Sequence, residues 1–396
     1  MQAHDADLSE SQRTVRQGVA KACERFGDDY WLRLDTDGEF PTDFYRALAH
    51  DGWLGIAMPE QYGGAGLGIG EAAVMMQTVA ESGGGMAAAS AIHMNIFGLE
   101  PVVKFGSDEQ KQRFLPPLIQ GQQQACFAVT EPNTGLDTLG LQSTARLDAA
   151  NSRYLLSGQK VWISTAQHAH KVLILVRTTP LEQAASPSAG LSLFYTDLRH
   201  DAVQITPIAK MGRAAVDSNA LLFDDWPVPA ADLIGREGHG FSLILHGMNA
   251  ERILIAAEAL GLGFAALRRA ALYARERVVF GRPIGANQAI QHQLADAWMA
   301  LEAARLTVHQ AARLYDSGAQ PAVVGEYANS AKYLAAEAAF AACERAVLVH
   351  GGMGYAKDYH VERYLREVFI PRIAPVSREM ILNYIGQRVL GLPKSY

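Results

Sequence analysis

Phe127-Ala128-Val129-Thr130-Glu131-Pro132-Asn133-Thr134-Gly135-Leu136-Asp137, with its return Gly158-Gln159-Lys160-Val161-Trp162-Ile163-Ser164, is the stretch on which the reading of the whole chain turns. The first piece is an extended apolar run that ends at Thr130 and breaks at Glu131-Pro132, because proline lacks the amide a continuing strand needs. Gly135 then lets the following amides turn toward an anion, and a pyrophosphate suits that loop. The second piece alternates small and aromatic residues as a strand does, which brings the Trp162 indole and the Ser164 hydroxyl to one edge. An isoalloxazine ring can stack there, with Ser164 hydrogen-bonding its rim. Two ordinary strands of a sandwich joined through a Pro-Asn turn account for the same spacing equally well, so spacing alone leaves both readings open.

Outward from this region, composition sets limits. A chain of 396 residues is too long for one simple core, so two or three packed units are expected, and an apolar share of 49% allows a large interior. The net charge of −6, without any block of like charges, offers no basic face to nucleic acid or anionic lipid. Met1 to Glu10 is acidic and lacks an apolar run, so neither a secretory signal nor a transit peptide is read there. The longest apolar run, Ile253 to Leu267, contains Glu258 and continues into Arg268-Arg269, which argues for a buried helix and against a membrane span. Cys23, Cys126 and Cys343 are far apart, so a reducing, cytoplasmic setting is expected, and no His/Cys/carboxylate cluster suggests a metal.

Periodicity divides the chain into three. Residues 1–120 read as a helical domain: one helix begins at Ser9, another is capped by Phe40-Pro41-Thr42-Asp43 and runs to His50, and a buried one spans Gly70 to Ser82. Met58 to Gly66 reads as a glycine-rich hinge, and Gly83 to Ser90 as small and flexible. Residues 121–235 carry short alternating runs, such as Val172 to Val176 and Leu191 to Tyr195, and read as a small β domain, with Thr179 to Gly190 a surface loop. Residues 236–396 show long helical periods, Phe241–Val279, Gln288–Ser317, Ala322–His350 and Tyr359–Val389 with breaks at Pro371 and Pro375. These lengths with short links read as a four-helix bundle, and the fold class is α+β.

The opening pieces resemble the flavin-contacting segments of the acyl-CoA dehydrogenase family, a Val-Thr-Glu-Pro loop followed by Gly-x-Lys-x-Trp-Ile-Ser/Thr. Thr130, Glu131, Pro132, Gly135, Asp137, Lys160, Trp162, Ile163 and Ser164 match, while Leu136 stands where the family has a hydroxyl residue. The helical, β, helical layout extends the resemblance over nearly the whole chain. It implies FAD, held by Phe127, Val129, Thr130, Gly135, Trp162, Ile163, Ser164 and Ser377, with Ser218 and Arg252 at the substrate. It also implies contacts from a neighbouring subunit: Arg277 to the pyrophosphate, Phe280 on the adenine side and Gln288 nearby, then the Gly351-Gly352 loop, where Leu348 replaces a polar family residue. By themselves, Arg277 to Gln288 read equally as a helix end stopped by Gly-Arg-Pro. Sites shared between chains imply a homotetramer built as a dimer of dimers.

The family removes the proton α to a thioester while a β hydride leaves to the flavin, and hydrogen bonds from a ribityl hydroxyl and a backbone amide hold the carbonyl. The base is a carboxylate in an apolar pocket. At the family's commoner base position, near the C-terminus, this chain has Pro375. The other family position corresponds to Glu251, in Gly247-Met248-Asn249-Ala250-Glu251-Arg252-Ile253, with Glu258 in reserve seven residues on. A surface carboxylate paired with Arg252 or Arg268 is the alternative for Glu251, and a salt-linked helix end is the reading for Glu379. The expected activity is FAD-dependent dehydrogenation of an acyl-CoA or acyl-carrier-protein thioester, with electron-transfer flavoprotein or a similar acceptor. The alternatives are an enoyl-CoA reductase of the crotonobetainyl-CoA type, suggested by Arg372 to Leu382, a flavin monooxygenase on this fold, and a helical scaffold protein.

Overall fold

The computed structural model describes residues 7–97 and 99–394; the first six residues of the N-terminal stretch discussed above lie outside them. Helix α1 (Glu10–Cys23) starts at Ser9, whose Oγ accepts from the Gln12 amide while the Ser9 amide donates to Gln12 Oε1, both at 3.1 Å. This reciprocal cap satisfies two amides that a helix start otherwise leaves unpaired. The helices α2 (Asp28–Asp37), α3 (Thr42–His50), α4 (Ile69–Val79), α5 (Gly85–Phe97), α6 (Glu100–Phe105) and α7 (Asp108–Ile119) complete the N-terminal layer.

Eight strands follow: β1 (Ala125–Ala128), β2 (Thr144–Asp148), β3 (Arg153–Ser164), β4 (Lys171–Arg177), β5 (Leu191–Asp197), β6 (Val203–Pro207), β7 (Ser218–Pro229) and β8 (Leu233–Ile234). They form one sheet in the order β6-β7-β3-β2-β4-β5-β8, with β1 parallel to β4. The long α8 (Gly240–Glu276), α9 (Gln288–Asp316) and α10 (Pro321–His350) then pack together, and α11 (Val361–Glu367), α12 (Ile370–Ile373) and α13 (Arg378–Tyr384) occupy the fourth place. The architecture is α+β, as expected, with the fourth helix in three pieces.

Two expectations are corrected. Gly83 to Ser90 is not a flexible link. Gly83 and Gly85 take φ of 110° and 60°, values that side chains disfavour, and this lets one helix end and α5 begin within a buried turn. The helix expected to reach Val279 ends at Glu276, and Val278–Val279 pairs with Arg282–Pro283 as a hairpin, β9 and β10. Its turn residues Phe280 and Gly281 have φ of 53° and 75°, the positive pair that a two-residue hairpin turn requires.

Helix α8 is the axis of the molecule. From Ile253 to Leu267 every residue is buried, because the α4/α5 layer covers one side and α9/α10 the other. A helix apolar all round is stable only when enclosed in this way. The closest approach is at Gly261, where an added Cβ would lie 2.2 Å from the Gln77 carbonyl oxygen on α4.

The sheet and its cleft-side loop are joined by one buried ion pair. Lys160 Nζ donates to Glu131 Oε1 at 2.9 Å and to the Val129 carbonyl at 3.1 Å. Glu131 also accepts the amides of Gln142 and Ser143 at 2.8 and 3.0 Å. Burial would raise the Glu131 carboxyl, but Lys160 and these donors outweigh it and hold it below its ordinary value of 4.5. Burial pushes the Lys160 ammonium down to about 8, which leaves both partners ionised at neutral pH.

Gly261→Ala should separate α4 from α8 and cost about 1–3 kcal/mol, read as a lower melting temperature. Glu131→Gln leaves Lys160 charged without its partner, and about 3–5 kcal/mol of stability should be lost at pH 7 in urea unfolding. Because the folded pKa of Glu131 is depressed, its contribution is complete above the unfolded value of 4.5 and disappears as pH falls through the folded one. The difference between wild type and variant should therefore vanish in acid, and a difference that persists there would contradict the assignment.

Candidate functional site

Between Lys160 and Ile163 the β3/β7 register slips, and Trp162 takes a φ of 63°. A bulge of this kind turns one side chain out of the alternation, and here it lifts the indole out of the sheet, 58% exposed, beside a cleft of about 550 Å³. The Val161 amide donates to the Thr130 carbonyl at 2.9 Å, so the two segments quoted at the outset are adjacent. Thr130, Gly135, Leu136, Trp162 and Ser164 line one side of the cleft, and Phe369, Ile370, Ile373, Pro375 and Ser377 line the other. Gly135 is not left-handed; a Cβ there would meet nothing within 4 Å, so its part is to keep the cleft open.

The floor of the cleft is cationic. Arg213 donates to the hydroxyls of Ser90, Ser164 and Ser218 at 2.9, 3.0 and 3.1 Å, and its Nε is buried without a partner among the described residues. Lys210 donates to the Arg213 carbonyl at 2.9 Å, and burial first, then the Arg213 charge, push its ammonium down to about 8. Ser218 is buried against Arg213.

Behind this floor lies a buried cluster that the sequence reading did not assemble. His93 Nε2 is 2.6 Å from Glu251 Oε2, and His93 Nδ1 is 2.5 Å from Glu258 Oε1. The glutamates are seven residues apart on α8 and therefore share a face, and α5 brings the imidazole between them. Burial would lower the His93 pKa, but the two carboxylates outweigh it and raise it well above the ordinary histidine range. Burial raises the Glu258 carboxyl despite His93, and its Oε2 has no partner among the described residues. Glu251 thus pairs with neither Arg252 nor Arg268. Arg252 donates to Met248 and Asn249, while Arg268 pairs with Glu81.

Ser90 stands one helical turn before His93 and connects the cluster to Arg213 at the cleft. On the other flank, Lys332 of α10 donates at 2.5 Å to the carbonyl of Val376, next to Pro375 and Ser377. The only signal for His93 in the sequence was a single imidazole in the apolar run Met86 to Phe97, the kind of residue that must find buried partners.

Of the residues singled out from sequence, Thr130, Gly135, Trp162, Ser164, Ser218 and Ser377 meet at the cleft. Phe127 and Val129 pack instead against the core on the β1 side, and Ile163 is buried inside the sheet, because alternation sends it opposite to the cleft. Arg277, Phe280, Gln288, Gly351 and Gly352 lie on the surface, outside the cleft lining, with Phe280 fully exposed. Glu379 is exposed and 3.4 Å from Arg378.

These features fit a flavin: a flat exposed indole, hydroxyls at its edge and fixed positive charge facing the slot. Models of the acyl-CoA dehydrogenase N-terminal, middle and C-terminal domains match residues 9–122, 126–226 and 238–390. The chain is 36% identical to the acyl-CoA dehydrogenase FadE12 of Mycobacterium tuberculosis over 391 residues, 98% of each chain. It is 32% identical to acryloyl-CoA reductase (NADH) of Anaerotignum propionicum, covering 98% of this chain and 97% of that one. Its structure superposes on butyryl-CoA dehydrogenase from Megasphaera elsdenii with a TM-score of 0.91 at 28% identity, over 98% of this chain and 100% of that one. With all three domain models matched in order around a flavin-shaped cleft, the chain belongs to the acyl-CoA dehydrogenase family of flavin-dependent oxidoreductases.

Proposed function

We propose that this protein oxidises an acyl thioester to its α,β-unsaturated product, with Glu251 as the base. The observation that carries the reading is the pair Glu251 and Pro375. Among the described residues the cleft lining holds no carboxylate, and Pro375 supplies none from the segment opposite Trp162. Behind it, Glu251 is bonded to His93, one helical turn from the Ser90 that accepts from Arg213, and it faces the charge of Lys332, which donates beside Pro375.

Bound FAD, held by Thr130, Trp162, Ser164 and Ser377, supplies the acceptor for the hydride that leaves the β-carbon. Glu251 takes the α-proton, its carboxylate buried and held against His93. Arg213 and Lys210 oppose the negative charge that develops as the proton leaves. CoA or a carrier protein bears the acyl group, and an electron-transfer flavoprotein or similar acceptor removes the electrons.

The exposed hairpin belongs to the same reading. A Phe280 wholly in water and held at positive φ forgoes about 1.5–3 kcal/mol of burial, which a second subunit would recover. We assign Arg277, Phe280, Gln288 and Gly351-Gly352 to the neighbour's cofactor in a homotetramer. Three units with boundaries near residues 120 and 235 complete the assignment. A second reading, reduction of an enoyl thioester, is favoured by the acryloyl-CoA reductase relative; Glu251 would then return a proton to the α-carbon.

The test is anaerobic bleaching of the purified yellow protein by a panel of short, branched, long and aromatic acyl-CoAs. At least one should bleach the wild type, while Glu251→Gln should keep its flavin and lose about 10²–10⁴-fold in reduction rate. Normal reduction of that variant defeats the assignment. Bleaching by NAD(P)H alone with oxygen uptake would point to monooxygenation instead.

A further inference from the structure

The proton inventory of the buried cluster goes beyond the choice of base. His93 makes short contacts to two carboxylate oxygens, one from each ring nitrogen. Two acceptors cannot approach this closely without a proton between them, so each contact contains one. The three groups together therefore carry one proton more than a neutral imidazole beside two carboxylates, and the cluster is a monoanion. The contacts leave one oxygen on each carboxylate unshared, Glu251 Oε1 and Glu258 Oε2, and neither accepts a hydrogen bond among the described residues.

We propose that His93, held as an imidazolium between Glu251 and Glu258, is the positioning residue that keeps Glu251 ionised and turned with Oε1 toward the substrate at neutral pH. The proposal rests on the reading of Glu251 as base. Without the imidazolium, two carboxylates buried on one helix face would repel each other and retain a proton, leaving Glu251 blocked. Glu258, on the other ring nitrogen, fixes the ring's orientation and charge.

The step balances as follows. The α C–H bond breaks and its proton goes to Glu251 Oε1. The electron pair left behind becomes the second bond between the α- and β-carbons, and FAD, when bound, would be the acceptor for the β-hydrogen and its pair. The cluster passes from monoanion to neutral, and His93 keeps both of its protons throughout.

Other charges reach the cluster: Arg213 toward Glu258, and Arg252 and Lys332 toward Glu251. All are retained in His93→Gln, whose amide is neutral and cannot replace the imidazolium charge. Lys332, pushed down to about 8 by burial, titrates in both proteins, so the variant is compared with wild type at each pH.

The experiment measures stopped-flow flavin reduction from pH 6 to pH 10, using whichever acyl-CoA of the panel bleaches the wild type. His93→Gln should retain its flavin, and its acid limb should move up by about one pH unit or more. Its rate should fall at least about tenfold at pH 7 and recover toward wild type at pH 10. An unmoved profile, or a loss equal at every pH, overturns the proposal. A second measurement needs neither substrate nor a folded variant: in ¹⁵N-histidine-labelled wild type at pH 7.5, one histidine should show both ring nitrogens protonated, well above the free-histidine range. If every histidine is neutral there, the proposal falls even when acyl-CoA bleaches the flavin. If no acyl-CoA bleaches the wild type but the imidazolium is present, the dehydrogenase reading fails and the charge state of the cluster stands.

Discussion

Two buried carboxyl groups on α8 set the constraint to which the surroundings conform. An isolated buried carboxylate is heavily penalised, and Glu251 and Glu258 are tolerable on α8 only because an imidazole meets both. That requires α5 to run beside α8 at the right height. The buried turn at Gly83 to Gly85 sets its start, and α11 holds the turn in place: Arg363 donates to the Gly83 and Gly84 carbonyls at 2.6 and 3.2 Å, and Tyr364 donates to Gly83 at 3.0 Å. Glu367 accepts the Ala87 amide at 3.3 Å. The short helices near the C-terminus thus act on the cluster indirectly, by fixing the helix that carries His93.

The cleft is assembled on similar terms. Its aromatic wall exists because β3 slips against β7 at Trp162, and its floor because Arg213 is enclosed by three serines from three parts of the chain. The Lys160–Glu131 pair ties the wall to the loop before it. Every wall has a separate support, and ligand and cluster can be aligned only when the helical layers and the sheet pack together.

Much of this was legible in the chain itself. The helix starts at Ser9 and Gln288, the strands at Val172 and Leu191, and the enclosed character of α8 follow from side-chain period and capping chemistry, which are local properties. The cleft-lining residues Thr130, Trp162, Ser164, Ser218 and Ser377 were named because short motifs carry their own geometry. The Ile163 side chain turns into the sheet, and a single motif does not show which alternate side chain of a strand faces inward. The segment Gly83 to Ser90 was misjudged because small residues mark both loose links and tight helix junctions.

The sequence by itself determined the layers of the fold and the short segments that meet at the cleft, and it places at 375 a proline, which carries no carboxylate. Only the tertiary structure decided what Glu251 and Glu258 are bonded to, since His93 lies about 160 residues away from both and no local pattern links them. Charge state follows from burial and from partners brought by other elements, and neither is encoded in the few residues on each side of a titratable group.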